Sequence, residues 1–309
     1  MFVYGKMPNG DDVFQITLES NDLQLKVLSL GAIIQDLRMK NIKHPLVLGY
    51  PKLEPYFENS GKLGAIVGRY ANRIANGTAN IEGKIYYFDK NQNKTHTLHG
   101  GSDGSAVRNW KIVQYNKSMV TFLDKLPDGH MGFPGNLTVE TTYKVAQSTI
   151  DIVIEASTDK TTLCNFTNHS YFNLSGMPNL IDHELQINAD HVLEFGPDLL
   201  PTGNFIEVHK TDFDRNKLRP INNSRYDDCF VLRQKDTVKA RLRAKTTKIQ
   251  MDILTDQPGM VVFKPEIING ICLETQKFSN GPNIPHFPNT VLHTDERYHQ
   301  KTQYVFSKF

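Results

Sequence analysis

LCNFTNHSYFNLSG, Leu163 to Gly176, alternates as a strand does. One set of positions is Cys164, Phe166, Asn168, Ser170, Phe172 and Leu174. The other is Leu163, Asn165, Thr167, His169, Tyr171 and Asn173. Successive side chains of a strand point to opposite faces, so the pattern predicts one β-strand with a mainly apolar and a mainly polar face. That polar face carries no Lys, Glu or Arg. It offers Asn, Thr, His and Tyr, which are uncharged or switchable donors and acceptors on apolar bodies. Two readings fit. The polar groups satisfy one another and nearby backbone, or they bind a neutral, hydroxyl-rich ligand with an imidazole set for proton transfer.

Working outward, strand signals recur along all 309 residues. Val13–Leu18, Leu23–Leu28, Ala32–Met39 and a short buried run Pro45–Tyr50 come first. Ala79 to Tyr87 reads as a hairpin about Glu82-Gly83, and Trp110 to Asp124 as two strands about Asn116-Lys117-Ser118. Alternation continues through Leu137–Val145 and Ile150–Ile154. Further strands read at 183–188, 229–233, 238–244, 248–254, 260–264 and 271–276, and the tail QYVFSKF is a candidate closing strand. Only 51–60, PKLEPYFENS, suggests a helical turn. Many short strands with close turns and no sustained helical stripe predict an all-β sandwich or barrel, here as one domain over 1–309.

The composition narrows the function. With 35 basic and 33 acidic residues, and no basic stripe interleaved with aromatics, nucleic acid is not the expected partner. Cys164, Cys229 and Cys272 are far apart and form no CxxC pair, which argues for a reducing, cytoplasmic setting rather than a disulfide framework. The N-terminus lacks an apolar signal-peptide core, and no run is long enough to span a bilayer, so no membrane association is expected.

Four further stretches carry chemistry. GRYANRIANG, Gly68 to Gly77, holds Arg69 and Arg73 four apart between glycines; guanidinium forks clamp carboxylates, phosphates or vicinal hydroxyls, or else lie solvated beside a turn. HTLHGGSDG, from His96, spaces two histidines by three without an acidic partner to complete a metal set, and its glycines suggest a loop that fixes one imidazole. YDDCF, from Tyr226, leads two carboxylates into a strand, where at most one faces a site. GICLETQ, from Gly270, places Glu274 after an apolar run, where partial burial would raise its pKa toward that of a useful base.

Taken together and in order, GRYANRI, TLHGG, TNHSYFNLSG, YDDCF and CLETQ resemble the aldose 1-epimerase (galactose mutarotase) family over nearly the whole chain. The resemblance implies a large antiparallel β-sandwich, the galactose mutarotase-like supersandwich, with a sugar site in a groove. It also implies His169 as the general acid that protonates the ring oxygen and Glu274 as the general base that takes the anomeric hydroxyl proton. Asn72, Arg73, His99 and Asp227 match sugar-binding positions. Neither metal nor cofactor is implied, and the partner is a small aldose. Two departures stand out: Asp228 occupies a position where many members carry His, and Val261 one where many carry a sugar-contacting Gln.

Overall fold

The computed structural model describes residues 1–58, 61–221 and 226–309. Three large sheets organise it. The first is a four-stranded meander of Phe2–Lys6, Asp12–Glu19, Leu23–Leu28 and Ile34–Met39. A nine-stranded sheet runs in the order Lys111–Tyr115, Met119–Leu126, Leu137–Ala146, Thr149–Thr158, Tyr298–Lys308, Ile249–Thr255, Ala240–Ala244, His183–Ile187, Arg219–Pro220. A six-stranded sheet has the order Tyr171–Phe172, Ile271–Gln276, Gly259–Lys264, Tyr226–Leu232, Ala189–Phe195, Pro201–Glu207. The ladders within these sheets are antiparallel.

Alternation explains the core. Val139, Tyr143, Ile150, Ile152 and Ile154 are buried on one face of the nine-stranded sheet, while Phe230, Met260, Val262 and Leu273 are buried on the six-stranded one. All belong to one apolar cluster that also takes in Ile16 near one end of the chain and Phe306 near the other. The architecture is the β-sandwich expected. The tail is its long closing strand, in the middle of the nine-stranded sheet between Thr149–Thr158 and Ile249–Thr255.

Two expectations fail. Pro45–Tyr50 is not a strand; it makes a single bridge, Val47 to Phe172. Leu163–Gly176 is not one alternating strand either. It breaks into Thr162–Leu163, Thr167–Asn168 and Tyr171–Phe172, which pair with Val291–Leu292, Ile66–Val67 and Ile271–Cys272. Every residue from 162 to 175 is buried, so neither face meets solvent. The polar side chains are the cause, because they capture backbone groups that a continuous ladder would use. Asn168 Nδ2 donates to Gly64 O (3.0 Å) while its Oδ1 accepts from Ser170 N (3.2 Å). Asn173 Oδ1 accepts from Ser175 N (3.2 Å) and Gly176 N (3.0 Å), ending the segment. The stretch is thus a junction that joins several sheets.

The helical turn appears as Glu54–Glu58; residues 59 and 60 of that prediction lie outside the described residues. Three of the longer strands, Phe2–Lys6, Ala189–Phe195 and Pro201–Glu207, are absent from the sequence reading, as are two-residue strands such as Ile66–Val67 and Arg219–Pro220. The first and last of the three are largely exposed and lack an alternating apolar face, which removes the signal. Among the described residues no helix is long and apolar enough to cross a membrane.

Candidate active site

The six-stranded sheet turns its other face to a cavity of about 570 Å³, a size usual for small-molecule sites. Register decides which residues reach it. Val261 pairs with Glu274 and Cys229, and Phe263 with Cys272 and Asp227, so all six lie on the face opposite Val262 and Leu273. Glu274, Asp227, Val261 and Phe263 line the cavity. Asp228 is on the core face, where burial followed by the neighbouring Asp227 charge pushes its carboxyl up to about 6. Of the two adjacent carboxylates, only Asp227 faces the site.

The remaining motifs are tied to this sheet through backbone pairing. Tyr171 pairs with Cys272, setting TNHSYFNL beside CLETQ. His169 donates its N–H to Ala65 O (2.8 Å), and its carbonyl accepts from Gly64 N (3.0 Å), so its backbone is pinned on both sides. Arg73 pairs with Leu98 and Ile74 with Thr97, joining ANRI to TLHGG. The glycine after His99 is required there: Gly100 has φ +81, and a Cβ would sit 2.1 Å from Gly68 O.

His169, Glu274, Asn72, Arg73, His99 and Asp227 all line the one cavity. Its core is the pair His169 and Glu274, with Nε2 3.5 Å from Oε1 and side chains 5% and 2% exposed. Burial pushes the Glu274 carboxyl well above its usual range, Asp227 adds to this, and Arg73 opposes it. Burial pulls His169 down to about 4. Both shifts favour the uncharged members of the pair, a carboxylic acid beside a neutral imidazole. Glu274 Oε2 is buried without a hydrogen-bond partner, a state that costs free energy unless a ligand supplies the donor.

The neighbours present defined donors. His99 Nδ1 accepts from Asn72 N (3.2 Å). Burial, then the charges of His169, Arg73 and Lys62, hold His99 well below the usual imidazole range, so its neutral ring carries its hydrogen on Nε2. Asn72 Oδ1 accepts from Arg73 N (2.9 Å), Arg73 Nη1 (3.3 Å) and Ser279 Oγ (2.9 Å), which leaves Nδ2 for a ligand. Arg73 Nε donates to Gln92 Oε1 (3.0 Å). Much of the remaining lining is apolar or aromatic: Tyr50, Tyr171, Phe263, Pro265 and Ile268.

The structure separates the paired motifs. Arg73 lines the cavity, whereas Arg69 is buried elsewhere against backbone carbonyls. His99 lines it, whereas His96 Nδ1 accepts from Asn76 N (3.0 Å). Sequence reasoning missed Phe263 and Cys272, although Cys272 sits two residues before Glu274 and so shares its face; Tyr171, on the polar face read from the sequence, does line the cavity. The donor atoms of His169, Cys272 and Glu274 lie within 4.8 Å of one another, the spacing of a metal-ligand trio. The imidazole stands between the other two, however, with Nδ1 toward sulfur and Nε2 toward carboxylate. One ion takes only one of those nitrogens, so the trio fits a cation only after rearrangement.

The fold is thus a β-sandwich that holds a buried imidazole and carboxyl side by side in a cavity of small-molecule size. The chain belongs to the aldose 1-epimerase family, whose model matches residues 15–305. It is 34% identical to the galactose mutarotase of Mus musculus over 99% of this chain and 97% of that protein. It is 30% identical to the aldose 1-epimerase of Escherichia coli K12, over 97% and 96%. The solved structure of an aldose epimerase homologue from C. elegans superposes with a TM-score of 0.91 at 28% identity, covering 96% of this chain and 99% of that one. The protein is an enzyme of the isomerase class, a mutarotase by family.

Proposed function

We propose that the enzyme interconverts the α and β anomers of free hexoses, glucose or galactose, with Glu274 as general base and His169 as general acid. The observation that carries this is the buried pair 3.5 Å apart in a ligand-sized cavity. Opening a hemiacetal removes a proton from O1 and delivers one to the ring oxygen; rotation about C1–C2 and reclosure reverse both transfers. Once the proton of the pair passes from Glu274 to His169 Nε2, the carboxylate is the base for O1 and the imidazolium the acid for the ring oxygen. Asn72, Arg73, His99 and Asp227 hold the ring hydroxyls, keeping transfer distances short. No step requires a metal or a cofactor. One apolar cluster with members from Ile16 to Phe306 supports a single domain, and three buried free thiols support a cytoplasmic setting. Polarimetry on freshly dissolved α-D-glucose and α-D-galactose tests the activity: optical rotation decaying no faster than in buffer would overturn it.

A second reading is favoured by the apolar and aromatic lining contributed by Tyr50, Phe263, Pro265 and Ile268. A reducing disaccharide such as maltose would lay its additional ring there. Rates on maltose matching those on glucose would support it.

Two outcomes follow for solution work. The pH profile of kcat/KM is expected to be bell-shaped. Its acid limb falls near pH 4, as His169 takes a second proton onto the pair, and its alkaline limb falls as Glu274 gives up the only one. Both limbs belong to the pair, so Glu274→Gln should abolish the alkaline one. Val261→Gln places an amide opposite Glu274 in the ladder. It is expected to lower KM for a hexose by about 2- to 10-fold, the worth of one neutral hydrogen bond. An unchanged KM in initial-rate measurements would mean the amide meets no hydroxyl.

A further inference from the structure

The face opposite the cavity side of the His169 ring is closed by Cys272. Its Sγ lies 3.4 Å from His169 Nδ1, and the thiol is fully buried. The same sulfur is 3.9 Å from the His169 carbonyl oxygen. Histidines in acid–base sites are commonly oriented through the nitrogen remote from the substrate. A carboxylate in that place favours the charged ring, and a carbonyl accepts only, so it requires a hydrogen on Nδ1 in both states. A thiol both donates and accepts.

We propose that Cys272 is the positioning residue for His169, a thiol whose sulfur accepts the Nδ1 hydrogen in both protonation states of the ring while its own hydrogen goes to the His169 carbonyl. This rests on the reading of His169 as the acid. With the ring neutral, Nδ1 carries the ring hydrogen and donates it to the thiol sulfur, the thiol's own hydrogen points to the His169 carbonyl, and Nε2 is bare toward Glu274 and the cavity. When Nε2 takes up the Glu274 proton, the imidazolium keeps the same Nδ1–H to sulfur bond, and Nε2 then gives its proton to the ring oxygen. No bond to sulfur forms or breaks. Burial holds the Cys272 thiol well above its ordinary pKa, with the Glu274 charge adding to this and a hydrogen bond with the Tyr171 hydroxyl opposing it, so the group stays S–H throughout.

The other groups around the ring do not fill this role. Glu274 faces Nε2. His99 meets the ring at 5.3 Å between centroids, edge to face, and is held neutral. Tyr171, 5.3 Å away, donates its hydroxyl to Gly61 O (3.0 Å). Phe263 at 6.1 Å brings no polar atom, and the Lys62 charge lowers the His169 pKa further.

The test compares Cys272→Ser, Cys272→Ala and Cys272→Val. Serine keeps an exchangeable O–H; alanine and valine do not, and valine keeps the volume if alanine fails to fold. Alanine and valine are expected to lower kcat by about 10- to 100-fold with KM little changed and to move the acid limb to lower pH. Serine restores most of kcat and the limb. Independently of activity, ¹⁵N NMR of the wild-type imidazole at neutral pH should show His169 Nδ1 protonated and Nε2 bare, assigned by the signals lost in His169→Asn. Wild-type kcat and pH profile in the valine variant, or a bare Nδ1, would overturn the proposal. If His169→Asn is itself fully active, the acid assignment fails instead, and the NMR result still decides whether the sulfur accepts from the ring.

Discussion

Glu274→Gln is expected to lower kcat by about 10²- to 10⁴-fold while KM changes little, the usual loss when a positioned acid or base is removed. Glutamine keeps the shape and can still hydrogen-bond a hydroxyl, so binding survives, but its amide cannot carry a proton from O1. The environment makes this severe. Glu274 is 2% exposed, so no water replaces the lost carboxylate. His169→Asn should produce a loss of the same order, because the pair needs two members to keep one acid and one base. The double variant tests whether they act as a unit: its rate should fall little below the worse single variant rather than to the product of the two. Anomer exchange followed by polarimetry, with sugar binding by calorimetry, separates the terms. Wild-type rates in either single variant would remove that residue from the chemistry.

What could be read in the sequence depended on whether a residue's role was local. Ile150, Ile152 and Ile154 announce a strand because they all turn to one core, and the sandwich follows from many such runs. The candidate site residues stand out in the sequence because they lie in short motifs, and the register of Val261 with Glu274 and Phe263 with Asp227 brings the motifs of Glu274 and Asp227 to one face. Leu163–Gly176 was misread as to form because alternation counts side chains and ignores what they bond. Asn165 shows the failure: its Oδ1 accepts from Lys277 N (2.9 Å), a partner remote in sequence that no periodicity reveals. Cys272 escaped for the same reason. Beside Glu274 it looks like one more apolar residue of a buried strand, and only the position of the His169 ring gives its sulfur a use.

The second large effect concerns the other arginine of GRYANRI. Arg69→Met is expected to cost about 3–5 kcal/mol of stability while leaving the kcat of the folded fraction largely intact. Arg69 is 1% exposed. Its Nη1 donates to Pro134 O (2.8 Å), Gly135 O (2.9 Å) and Thr162 Oγ1 (3.1 Å), and its Nη2 to Leu126 O (3.0 Å). The guanidinium lies over the Phe133 ring at 5.6 Å. Apart from Thr162, these partners come from the end of Met119–Leu126 and its connection to Leu137–Ala146, so one fork closes a turn of the nine-stranded sheet against the segment that leads to Arg73. Burial lowers its pKa only to about 10, so it remains charged at neutral pH and its donors stay in place. Methionine fills the volume but strands those carbonyls away from water. Lysine keeps the charge without the planar fork and should lose an intermediate amount. Urea denaturation checks the order wild type, lysine, methionine. A loss below about 1 kcal/mol in the methionine variant would mean that the turn finds other donors, since a single unmet buried carbonyl already costs that much. Arg73→Met is the complement: it should raise KM for the sugar far more than it lowers stability. Two arginines four residues apart thus differ in place, one closing the fold and one facing the cavity, because the chain between them turns the second into the cavity through its pairing with Leu98.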